Sequence, residues 1–142
     1  MTANTSSILA LDVGTVRIGV AISDSIARLP RPMMTLVNNE DFTEQLRQII
    51  DNEGVTTLIV GLPRSLNGED TDQTRLVRRF VANWQADVGL PLFFQDEALS
   101  SARAKEELRA RGKLYQKGDI DALAATYILD DYLANNPTGS GA

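Results

Sequence analysis

Acidic side chains are the residues of this sequence best suited to chemistry, because the imidazoles and thiols that serve so many active sites are missing. The chain has no histidine and no cysteine. That removes Ser-His and Cys-His nucleophile pairs, imidazole acid–base catalysis and His- or Cys-ligated zinc. Three acidic points stand out: Asp12 at the end of an apolar run, the adjacent Asp96 and Glu97 after another, and Asp121 at the start of a third. Each has an ordinary structural role open to it. Asp12 can close a hairpin turn, Asp96 and Glu97 can be polar residues leaving a sheet, and Asp121 can complement a helix macrodipole. Together they point further. Carboxylates gathered at one sheet edge repel one another, and a divalent cation relieves that repulsion; oxygen-only ligands select Mg²⁺ or Mn²⁺. Such a trio suits two-metal phosphodiester hydrolysis, which needs no protein general base. Arg64 and Lys117, with Arg103 and Lys105 beyond the acids, are candidates for neutralising phosphate charge, although each also suits a solvated surface.

The elements that must position these residues follow from periodicity. Residues 8–13 and 17–23 read as two strands joined by a tight Gly-Thr turn, a hairpin that delivers Asp12 just before Gly14. With no side chain at Gly14, a bulky anion can approach the backbone there. Residues 27–32 carry two prolines and two arginines and predict an exposed connection, with a short third strand over 33–37. Phe42, Leu46, Ile49 and Ile50 predict a helix over 41–53 that closes at Gly54. Residues 56–60 are β-branched and apolar on both faces, as in a central covered strand. The stretch 61–68 reads as a loop at that strand's carboxyl end, where open α/β sheets hold ligands.

Thr71 or Asp72 should cap a helix with the stripe Leu76, Val77, Phe80, Val81 and Trp84, read as core rather than a base-stacking platform and closed by Gly89. A buried strand is expected over 90–94. A helix capped by Ser100 or Ser101 should run to about 111, then a basic loop over 113–118. A last helix, capped by Asp119, should end near 133. This order predicts a mixed sheet with helices on both faces.

The 142 residues suit one domain over 8–134, between a flexible start (1–7) and a disordered tail (135–142). No apolar run approaches the roughly 20 residues of a membrane span. Residues 1–7 lack the features of a signal peptide, so the expected location is cytoplasmic and no membrane partner is expected. The net charge of -5 hides a segregation: residues 98–118 hold six basic residues against two acids. That distribution leaves nucleic acid open as a partner despite the acidic total.

Four motifs, in order, then carry a resemblance over residues 8–133. They are Leu11-Asp12-Val-Gly-Thr-Val-Arg-Ile-Gly-Val-Ala-Ile-Ser-Asp24, Ile59-Val-Gly-Leu-Pro63 with Asn67-Gly68, Asp96-Glu97, and Lys117-Gly-Asp-Ile-Asp-Ala-Leu-Ala-Ala125. The sequence resembles the YqgF (RuvX) family. The resemblance implies an α/β, ribonuclease H-like fold: a five-stranded mixed sheet of order 3-2-1-4-5 with helices on both faces and the first strand central. It implies a Mg²⁺- or Mn²⁺-dependent nuclease linked to 5′-end maturation of the pre-16S rRNA, with a Holliday junction as the alternative substrate. Asp12, Glu97 and Asp121 fall on the family's acidic positions, with Asp96 the alternate to Glu97. The family's usual Arg-Leu after the acidic pair is Ala98-Leu99 here.

Two other readings accompany that one. The Asp-Val-Gly-Thr turn also resembles the phosphate-binding turn of actin-like ATPases, which would make this an ATP-binding domain. A non-catalytic RNA-binding module is the third. Oligomeric state is not legible.

Overall fold

The computed structural model describes residues 6–97 and 117–137, with side chains in the last segment from residue 120. Its sheet contains β1 (Ser7–Val13), β2 (Arg17–Asp24), β3 (Arg31–Val37), β4 (Val55–Leu62) and β5 (Leu92–Asp96), in the order β3-β2-β1-β4-β5. β2 runs antiparallel to both β1 and β3, whereas β1–β4 and β4–β5 are parallel. Among the described residues the helices are α1 (Phe42–Glu53), α2 (Asp72–Ala82), α3 (Gln85–Val88) and α4 (Lys117–Asn135).

Alternation along the strands sends side chains to two different layers. Leu9, Leu11, Ile18, Val20, Leu58 and Val60 join Phe42, Leu46, Val77 and Trp84 in the larger core beneath α1 and α2. Phe42, Phe80 and Trp84 meet there with ring centroids 5.1–5.9 Å apart. On the opposite face Ile8, Ala10, Ala21 and Ile59 pack against Ala125, Ile128, Leu129 and Leu133 of α4. The sheet is therefore covered on both faces, as expected.

Small residues mark where α4 comes closest. Ala10, Gly19, Ala21 and Gly61 line the sheet face beneath a helix that itself carries Ala122, Ala124 and Ala125. A Cβ on Gly19 would overlap the backbone carbonyl of Asp121 and crowd the Ala122 amide. At Gly61 the obstacle would be only the end of the Ile128 side chain.

Several expected boundaries move. β1 starts at Ser7, whose buried hydroxyl donates to the Glu53 carbonyl at 2.9 Å. β3 begins at Arg31 and includes Pro32, tolerated because β3 is an edge strand with a register shift at that point. Gly61 and Leu62 belong to β4 rather than to the loop. The helix expected to reach Gly89 is two: α2 stops at Ala82, and the short α3 precedes Gly89. Within the α2 stripe Leu76 is exposed while Val77, Val81 and Trp84 are buried.

β5 is an edge strand, not a buried one. Phe93 and Phe94 are exposed, Phe93 stacking on Tyr132 and Phe94 lying under Arg78. α4 is already helical at Lys117, so Asp119 is not its cap. The helix expected over 100–111 and the basic loop lie outside the described residues.

Gly19→Ala is expected to destabilise the fold by about 2 kcal/mol or more, because backbone on both sides must separate. Gly61→Ala should cost clearly less, since Ile128 can change rotamer. Urea denaturation of the two variants checks the order.

Candidate active site

Asp12 shares its strand face with Ile8 and Ala10, so alternation points it to the α4 side of the sheet. Its antiparallel partner is Gly19, the residue on which the Asp121 backbone rests. One glycine thus brings together two acids more than a hundred positions apart in the chain. Burial, and secondarily the charge of Asp121, push the Asp12 carboxyl up to about 6. A carboxylate with ample water or a dedicated cation would not be raised this way.

Asp121 does have a cation. Arg17 opens β2 on the same face, and its Nε donates to Asp121 Oδ2 at 2.8 Å. The side chains are 34% and 20% exposed, so the pair is half-buried rather than sealed from solvent. Arg17 belongs to the hairpin motif, yet sequence reasoning gives it no role. The signal that could have found it is its place at the start of β2, two residues before Gly19 and on the same face.

The second acidic point behaves differently. Alternation puts Asp96 on the α2 side of the sheet, where Oδ1 lies 3.4 Å from Arg64 Nε. Arg64 also meets Asp70 at 3.5 Å and donates to the Gly68 carbonyl at 3.3 Å. The arginine expected to meet phosphate is therefore engaged in clasping its own loop, and Arg78 reaches the same Asp70 at 3.8 Å. Glu97 follows β5, and its amide donates to the Leu62 carbonyl at 3.1 Å. Among the described residues no three His, Cys, Asp or Glu side chains gather closely enough to hold a metal ion. The structure thus brings Asp12 and Asp121 together without joining Glu97 or Asp96 to them as a third ligand. Arg103, Lys105 and the side chain of Lys117 lie outside the described residues.

The family model for RuvX, described as a Holliday junction resolvase, matches residues 6–135. The chain belongs to the RuvX family. A relative from Maridesulfovibrio salexigens is 41% identical over 131 residues, spanning 89% of this chain and 97% of its own. Another, from Chloroflexus aurantiacus, is 39% identical over 144 residues, spanning 96% and 94%. Both carry the name "Putative pre-16S rRNA nuclease". Among solved structures, Thermus thermophilus RuvC in complex with a Holliday junction substrate superposes with a TM-score of 0.53 at 14% identity, covering 95% of this chain and 97% of that one. At that identity the likeness speaks for the fold, the ribonuclease H-like one, with the strand order expected from the sequence. The sequence resemblance to the RuvX family is thereby borne out.

The raised carboxyl of this RuvX member sets a stability prediction. Asp12 ionises at about 3.9 when unfolded and at about 6 when folded, so between those values the folded state holds the extra proton. Stability then falls as pH rises through that window, and the full penalty persists above it. Without divalent ions, Asp12→Asn is expected to stabilise the fold by about 1–3 kcal/mol at pH 7.5, from a shift of roughly two pKa units. The gain should vanish near pH 4. Urea titrations at both pH values in chelator check it.

Proposed function

We propose that this chain is a divalent-metal-dependent nuclease that hydrolyses phosphodiester bonds in structured RNA, acting in the cytoplasm at the 5′ end of the pre-16S rRNA. The observation that carries the reading is the Asp12–Asp121 juxtaposition, two carboxylates on one sheet face with one of them raised to about 6. Family membership and the name carried by its relatives supply the substrate class.

The donor set fits Mg²⁺ or Mn²⁺. Both are hard cations, and Mg²⁺ is commonly bound by one or two carboxylates together with substrate phosphates. Asp12 and Asp121 would hold it, and Glu97 is the third candidate. Strand alternation favours Glu97 over Asp96, because Asp96 is turned to the opposite face and engaged by Arg64. A cation bound there would lower the pKa of a bound water and offset phosphate charge, in a chain that has no histidine to act as general base.

The protein's own part is to converge and orient the acids. Asp12 is fixed by the β1 ladder and Asp121 by a helix pressed against Gly19. Gly14, next but one after Asp12, closes the hairpin turn, where a Cβ would run into the Arg17 carbonyl oxygen. Lys117, Arg103 and Lys105 are the proposed backbone contacts of the RNA. Arg64 is the weakest of the four proposed contacts, given its two acidic neighbours.

A DNA junction is the second reading, favoured by the description of the family model. The test compares a 5′-extended small-subunit rRNA precursor with a four-way DNA junction, each with Mg²⁺, Mn²⁺ or chelator. Cleavage of the RNA with either metal, lost in chelator, is expected. Asp12→Asn and Asp121→Asn should each reduce it at least about a hundredfold, since even outer-shell partners of metal ligands cost 10–100-fold. Full activity in Asp12→Asn overturns the mechanism. Cleavage of the junction alone overturns the substrate, and turnover on neither leaves the non-catalytic RNA-binding reading.

A further inference from the structure

The Arg17–Asp121 pair bears on how any cation can enter this site. Asp121 rests on Gly19, the strand partner of Asp12, yet one of its oxygens is occupied by a guanidinium at 2.8 Å. A charge-assisted hydrogen bond of that length is a strong local interaction. A divalent cation seeking the same carboxylate would find Arg17 repelling it, and the two cannot share Oδ2 without cost. Arg17 is also well suited to let go. It is about a third exposed, it begins a strand rather than being wedged within one, and its planar head is more weakly hydrated than an ammonium.

We propose that Arg17 is a stand-in cation that holds Asp121 while no metal is bound, and that the divalent ion must displace it, freeing the guanidinium for a phosphate of the substrate. The inference rests on the metal-dependent reading above. Before metal arrives, Asp12 and Asp121 share one sheet face beside Gly19, and Arg17 supplies positive charge to Asp121. Once a cation takes over that duty, the guanidinium is left beside a site built for phosphodiesters. Its fork of donors matches phosphate geometry. Arg17 is thus a positioning residue in the metal-free protein and a substrate contact in the loaded one.

Calorimetric titration with Mn²⁺ separates this from a purely orienting role. Arg17→Met should bind Mn²⁺ about five- to tenfold more tightly than wild type, the scale of one partly exposed charge-assisted bond removed from competition. It should also melt at a lower temperature in chelator. Equal or weaker Mn²⁺ binding overturns the proposal, because an arginine that merely aims Asp121 would help the metal. Wild type that binds no Mn²⁺ overturns the metal reading itself, and this proposal with it.

A measurement on wild type covers the case in which Arg17→Met does not fold. The Arg17 Nε–H resonance should shift and exchange faster with water on adding Mg²⁺, and an unchanged signal at saturation again overturns the idea. For the second half, Arg17→Met should weaken binding of the precursor RNA in Ca²⁺ but not in chelator. An equal loss in both, or none in either, removes the phosphate role.

Discussion

The close approach of α4 to the β1–β2 hairpin at Gly19 is the constraint on which the rest of this molecule depends. It exists because a stripe of small residues on the sheet meets a stripe of alanines on the helix, so backbones touch where side chains would ordinarily intervene. The residues that gain from this are not themselves apolar. Asp121 is carried in by the packing of Ala125, Ile128 and Leu129 further along its helix, and Asp12 is held by a central strand buried on both faces. Apolar burial therefore drives two negative charges towards each other, a job no electrostatic term would do alone.

That arrangement explains the electrostatics. Asp12 is pushed upward by burial and by its neighbour, and Asp121 is steadied by Arg17. Keeping Asp12 ionised at neutral pH therefore costs the folded state stability. The second acid-bearing edge shows the contrasting solution. Asp96 and Asp70 share Arg64, and the result is a closed loop.

Much of this was legible in the sequence. Asp12 before a glycine in a hairpin, the β-branched central strand at 56–60 and the helix closed by Gly54 all follow from local rules, and each is present. What could not be read was long-range. The exposure of Phe93 and Phe94 follows from β5 lying at a sheet edge, and an apolar run of five does not say whether a neighbour covers it. The split of α2 from α3 hides in a stripe that continues through Trp84 although the helix does not. Arg17 and Arg64 are both arginines beside turns; that one meets Asp121 while the other clasps its own loop depends on which face of the sheet each occupies. The choice between Asp96 and Glu97 rests on the same alternation.

The topology also imposes an order in time. Asp12 and Arg17 emerge early from the ribosome, whereas Asp121 lies on the last helix described, 104 positions beyond Arg17. A nascent chain that has made only its sheet carries one acid and one unpaired base of the triplet. The cluster of Asp12, Arg17 and Asp121 therefore exists only once that helix has docked on Gly19.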